Sequence, residues 1–145
     1  MDGAATILDK ILAPDENRVD QAARNHFNRA SAYELKFELA EAIPHYEKAY
    51  RYGPNEFMYA SYYALLLLNQ HQYGVAEVVW NNALRLARDR AFLPDVATTL
   101  NNRGLLFWYT KRLKEAESDY TEALGIQRQL ATENPAAFLP NPQIF

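Results

Sequence analysis

Residues 30–49 read ASAYELKFELAEAIPHYEKA, residues 64–83 read ALLLLNQHQYGVAEVVWNNA, and residues 104–123 read GLLFWYTKRLKEAESDYTEA. Laid one above another, the three stretches share a pattern. Each opens on a small residue, Ala30, Ala64 or Gly104, with a large one three positions on, Tyr33, Leu67 or Phe107. Each closes on a small–aromatic–small triplet: Ala42, Tyr46, Ala49; Ala76, Trp80, Ala83; Ala116, Tyr120, Ala123. The first two triplets lie 34 residues apart (42 to 76), the second and third 40 (76 to 116).

Positions i, i+4 and i+7 share one face of a helix. The triplets therefore mark helices whose alanines admit a close neighbour while the ring fills the space beside them. The upstream small–large pairs mark a second helix in each unit, so each repeat reads as two antiparallel helices. Gly53-Pro54 suits a helix stop and a new start. Pro94-Asp95 suits another start, with the acid near the positive helix end. The pattern predicts helices at 4–12, 16–37, 40–52, 55–70, 73–89, 94–110 and 113–132, with Pro44 fraying or kinking the first turn of its helix. AFLP occurs twice, at 91–94 and 137–140, 46 residues apart (91 to 137), as the lead-in to a new unit. The second lead-in runs into NPQIF, and Pro140 and Pro142, almost together, forbid another helix pair. The last apolar face is then expected to be covered by Phe138, Leu139, Ile144 and Phe145, by a second copy, or by a continuing array.

Composition agrees with an all-α fold. Five Gly and seven Pro in 145 residues, with many Ala, Leu, Glu, Lys and Gln, favour helix. A formal charge of −3 gives no field that recruits nucleic acid or an anionic membrane. The absence of cysteine excludes disulfides, thiolate metal sites and cysteine nucleophiles. The first 18 residues lack the pattern of a secretory signal, and the apolar run Ala64–Leu68 is too short for a bilayer. A cytoplasmic location is the expectation.

The pattern resembles the tetratricopeptide repeat, a helix–turn–helix unit that stacks into a right-handed α-solenoid. The resemblance spans residues 23–128. It implies one domain over 1–145, made of a short N-terminal helix and the start of the first repeat helix (1–22), three repeats (23–56, 57–90, 91–132) and an irregular tail (133–145). The third unit is similar to the longer repeat subtype of kinesin light chains and many bacterial repeat proteins. Two features depart from the family. The turn position that favours Gly holds Phe37, His71 and Lys111, and the closing Pro occurs only as Pro54, with Arg88 and Arg128 in the other copies.

Nothing in the pattern calls for catalysis, a metal or a cofactor. His26, His45 and His71 lack metal-ligand spacing such as HExxH. The acid pairs Glu115/Glu117 and Asp119/Glu122, interleaved with Lys111, Arg112 and Lys114, read as a solvated helix face. The resemblance instead implies protein–protein binding in a concave groove lined by the first helix of each unit. Carried over by position, the lining is Arg24, Phe27, Asn28, Ser31 and Glu34; Met58, Ser61, Tyr62, Leu65 and Asn69; and Thr98, Asn101, Asn102, Leu105, Trp108 and Tyr109. An Asn amide both donates and accepts, so Asn101 and Asn102 suit a peptide backbone; the plainer reading is polar helix residues. Tyr62 and Trp108 are either groove anchors or packing rings. Family members that clamp an EEVD-like carboxylate tail use Lys, Arg and Asn. The matching positions here are Phe27, Ser31, Tyr62, Thr98 and Asn102, and four of the five lack that chemistry. Two further readings remain: self-assembly through the C-terminal end, and a chaperone-like regulatory subunit holding an apolar segment.

Overall fold

A computed structural model describes the backbone of residues 2–138 and the side chains of residues 16–136. All regular structure among the described residues is helical. α1 spans Asp2–Leu35, α2 Leu39–Tyr52, α3 Phe57–Asn69, α4 Tyr73–Asp89, α5 Leu93–Tyr109, α6 Leu113–Glu133 and α7 Pro135–Phe138. The chain divides into two compact units, residues 1–66 and 67–145. In the first, α1 packs on α2; in the second, α5 packs on both α4 and α6, and α7 follows against α6.

The expected separate N-terminal helix is not separate. α1 runs unbroken through Pro14. A proline removes one backbone donor and crowds the preceding turn, but it does not forbid continuation, and the flanking ILDKILA and ENRVDQAARN are good helix formers. Pro44 likewise lies inside α2, whose start at Leu39 is intact. The tail opens on the single turn α7 rather than as wholly irregular chain. The side chains of Phe138, Leu139, Ile144 and Phe145, proposed to cover the last face, lie outside the described residues.

The core follows the triplets. Ala42, Tyr46 and Ala49 of α2 and Ala76, Trp80 and Ala83 of α4 are buried. Trp80 buries its Nε1 donor with no acceptor among the described residues. That orphan costs about 1–3 kcal/mol, while burying roughly 200 Å2 of indole contributes about 5 kcal/mol; volume outweighs the lost bond. In α6, Ala116 and Ala123 are buried but Tyr120 is part exposed. Two glycines make room for rings. A Cβ on Gly104 would stand 2.8 Å from Cε1 of Tyr120, and one on Gly53 would stand 2.8 Å from Cδ2 of Tyr59. In the third repeat the pairing is thus small against large, Gly104 under Tyr120.

Four turns share one geometry. Phe37, His71, Ala91 and Lys111 take positive φ of 59°, 61°, 52° and 63°. In each, the next residue's N–H donates to the carbonyl five positions earlier: Glu38 to Tyr33 at 2.9 Å, Gln72 to Leu67 at 2.9 Å, Phe92 to Ala87 at 3.3 Å and Arg112 to Phe107 at 2.8 Å. This is the Schellman closure, which satisfies orphan carbonyls and favours Gly at the left-handed residue. The departures from Gly at 37, 71 and 111 therefore leave the turn geometry intact at a cost in backbone strain. The first AFLP begins with another such residue, Ala91. Relief of that strain, less the entropy Gly adds to the unfolded chain, makes Lys111→Gly stabilising by about 0.5–1 kcal/mol. A thermal melt should rise by about 2 °C; an unchanged or lowered melt contradicts the strain assignment.

Candidate functional site

In the first unit an aromatic cluster sets the surface. Tyr46, fully buried on α2, donates its hydroxyl to Oε1 of Glu34 at 2.5 Å and lies 3.4 Å from Oγ of Ser31. Burial, then the Glu34 bond, push its pKa well above the ordinary 10.0, so it stays a donor. Phe27 of α1 meets Tyr62 of α3 edge-on (5.2 Å between centroids, 86°), Tyr46 at 5.7 Å and Tyr59 at 5.3 Å. Of the residues predicted to line a groove, Phe27 and Ser31 are therefore half-buried members of the packing. Asn28, Met58, Tyr62 and Leu65 face solvent. Ser61 is half-buried, its hydroxyl donating to the Met58 carbonyl at 3.2 Å. Arg24 is exposed but borders a different place, a cavity of about 390 Å3 beside the Gly53–Glu56 loop, with Asp20, Tyr52 and Tyr59.

In the second unit, α5 exposes Thr98 and leaves Asn101, Asn102 and Leu105 half-buried. Among the described residues, neither Asn101 nor Asn102 has its side-chain amide engaged by another protein group. Trp108 is exposed and turns to α6, where it lines an apolar cleft of about 350 Å3 with Leu113, Ala116, Glu117, Tyr120, Thr121 and Leu124.

Two clusters escaped the sequence reading. Asp119, taken for part of a solvated face, is buried and accepts two bonds from Arg103, at 2.7 and 2.8 Å; Arg103 also donates to Asn81 at 3.1 Å. Arg112 donates to Glu77 at 2.8 Å and to Glu115 at 2.5 Å. Both guanidiniums lie by the Phe107 ring, 5.4 and 4.4 Å from its centroid. The bond to Arg112 holds the Glu115 carboxyl below its usual range. The signal was present but indirect: Gly104 facing Tyr120 puts Arg103 beside Asp119. Every charge here is matched by a partner, so the cluster is a brace between helices. Glu117 stays exposed, as expected, while Glu122 meets Arg88 at 3.0 Å.

The second cluster joins His26 of α1 to His45 of α2. One Nδ1 donates to the other at 2.9 Å, the rings stack at 5.2 Å, and Tyr33 and Tyr52 flank them. His71 stands elsewhere, 2.7 Å from the Tyr73 hydroxyl. No group of three metal-binding side chains occurs among the described residues, and no described helix is long and apolar enough to cross a membrane.

The repeats match a known family. The profile described as tetratricopeptide repeat matches residues 57–129, and a second of the same description matches residues 23–56. The chain belongs to the tetratricopeptide repeat family. Among solved structures, the N-terminal domain of stress-induced protein-1 (STI-1) from C. elegans is similar over 74% of this chain and 86% of its own, at 18% identity and a TM-score of 0.66. The first tetratricopeptide repeat domain of Spaghetti (RPAP3), bound to the HSP90 peptide SRMEEVD, is similar over 74% and 80%, at 23% identity and 0.63. The second domain of the same protein, bound to the same peptide, is similar over 78% and 98%, at 18% identity and 0.65. The likeness establishes the fold, the all-α one of tetratricopeptide-repeat solenoids. A comparison with curated proteins gives no match. The family is one of interaction scaffolds, not typically of catalysts.

The histidine pair makes repeat 1 sensitive to acid. Burial, mutual repulsion and the nearby Lys48 and Arg29 hold His26 below the ordinary 6.5, and burial, Arg29 and Lys48 do the same for His45. The unfolded chain then binds protons that the folded pair refuses. Stability is whole above the unfolded value and falls as pH drops through it toward the folded ones. Urea midpoints should decrease from pH 7.5 to 5.5 and do so less in His26→Gln; equal slopes in the two proteins contradict this.

Proposed function

We propose that the chain is a non-catalytic protein-interaction module. It binds a peptide or partner segment on the first helices of its repeats, α1, α3 and α5, as in the groove such helices line in this family. The observation that carries the reading is the pair of half-buried, unengaged amides of Asn101 and Asn102. Each keeps a donor and an acceptor for an incoming backbone. Tyr62 adds an exposed ring already braced by Phe27, which contributes contact area at little rotamer cost. Asn28, Met58 and Leu65 add to it in residues 1–66, and Thr98 and Leu105 add to it in residues 67–145, with Arg24 and Trp108 peripheral. Phe27, Ser31 and Ser61 support it from beneath.

We read residues 1–145 as one functional domain in the cytoplasm, acting on protein rather than nucleic acid or membrane. The third repeat fits the longer, kinesin-light-chain-like subtype: α6 has 21 residues where α2 has 14. Self-pairing through the C-terminal end is the second reading, supported by the exposed apolar cleft of α6. A chaperone-like hold on an apolar segment would use the same surface as the first.

The neighbours' peptide-bound state suggests a probe. With Phe27 and Ser31 committed to packing, and Tyr62 and Thr98 bearing no positive charge, the surface lacks what an acidic tail needs. SRMEEVD should show no saturable binding at micromolar concentration. Against a partner captured from host extract, Tyr62→Ala and Asn102→Ala should each weaken binding about tenfold, about 1.4 kcal/mol, with unchanged melting in Asn102→Ala. Tight binding of SRMEEVD contradicts the exclusion of an acidic tail, and full capture by both variants refutes the proposal.

A further inference from the structure

Arg51, Arg85, Arg88, Arg103 and Arg112 each meet a carboxylate. Along one side of the α1–α2 pair, three cations do not. Arg29, Tyr33 and Lys36 of α1 stand at i, i+4 and i+7, on one helix face. With Ala32 and with His45 of α2 they line a cavity of about 270 Å3. Lys48 follows His45 by three residues, on the same face of α2. Among the described residues, none of Arg29, Lys36 and Lys48 has a hydrogen-bond or ion-pair partner. The histidines beside them add no negative charge. Burial comes first in holding His26 and His45 below their ordinary value; after it, Arg29 and Lys48 act on both rings, and no carboxylate offsets them. One Nδ1–H of the pair donates to the other ring's Nδ1. The accepting ring therefore carries its proton on Nε2, a donor that no described group engages. The flanks, by contrast, are acidic: Glu38 follows the turn after α1, and Glu41 stands one helical turn before His45.

We propose that the cavity bounded by Arg29, Tyr33, Lys36 and His45 binds a single phosphate monoester, on a small molecule or on a phosphoserine side chain. Three unspent cations match the charge of such a group, about −1.5 to −2 near neutral pH. The Arg29 guanidinium can take two phosphate oxygens at once, while Lys36 and Lys48 add point charges. A second Nε2 proton leaves the Nδ1 bond of the histidine pair in place, so the pair can answer an anion by gaining charge without unpacking. Glu38 and Glu41 limit the ligand. A polyanion or an anionic surface laid across this side would meet their carboxylates, and one phosphate would not. The site shares no residue with the proposed peptide surface.

The histidine rings report on the site, and His71, which stands elsewhere, is the internal control. Inorganic phosphate, titrated into the full chain, should move the ring NMR signals of His26 and His45 saturably and leave His71 in place. Bound phosphate should also raise the titration midpoints of both rings, since an anion favours their charged form. A short phosphoserine peptide should do the same, and its unphosphorylated form should not. Arg29→Gln and Lys36→Gln, both at exposed positions, should each weaken phosphate about tenfold by removing a charge-assisted bond, with unchanged melting. Lys114→Gln, which lowers the net charge equally at an exposed position on α6, should leave the affinity intact. Shifts that sodium chloride reproduces at equal ionic strength overturn the proposal, as does phosphate affinity that survives Arg29→Gln. Stronger perturbation of the same rings by phosphatidylserine vesicles or by an oligonucleotide than by phosphate makes the patch a polyanion surface, and also overturns it.

Discussion

The structure depends on how closely two helices approach when one offers a hydrogen or a methyl where the other offers a ring. Gly104 against Tyr120 is the clearest case, because the space a Cβ would take is already occupied. Ala30, Ala42, Ala49, Ala64, Ala76 and Ala83 are fully buried, so the alanines of the first two repeats hold their positions by being small. The rings then gain the area that the small residues leave. The unpaired Nε1 of Trp80 measures the balance, since filling volume there outweighs a satisfied donor.

Close approach fixes register, and register places everything polar. Once Gly104 sits under Tyr120, Arg103 must lie beside Asp119, and the bidentate pair forms where water is scarce. His26 and His45 meet in the same way across α1 and α2. These contacts brace the helix pairs from the sides that do not touch solvent fully. On α5 they leave the amides of Asn101 and Asn102 unspent on the fold, the feature on which the proposed binding surface rests.

The helix pairs were legible because small–large alternation at i, i+4 and i+7 is a local signal repeated three times. The turns were legible only in part. Phe37, His71 and Lys111 stand where Gly is favoured, and sequence preference says nothing of whether a backbone will bear the strain; the Schellman bonds show that it does. The continuity of α1 through Pro14 was missed because a proline's cost is local and the helix on both sides is not. The site was the least legible. Phe27 and Ser31 match groove positions by alignment, yet their exposure is set by Tyr46 and Tyr62 from other helices. Trp108 matches too, but faces the α6 cleft. Which way a side chain turns at a shared position depends on neighbours that no single segment contains.

A double-mutant cycle on Gly104 and Tyr120 tests the steric claim most directly. In the native background, Gly104→Ala must push the ring aside and should destabilise by about 1 kcal/mol or more. In a Tyr120→Ala background the same change meets no ring and should stabilise, since Ala favours helix over Gly by up to about 1 kcal/mol. A reversal of sign between the two backgrounds, read from urea unfolding, is the result this account predicts. The same effect in both backgrounds would contradict it.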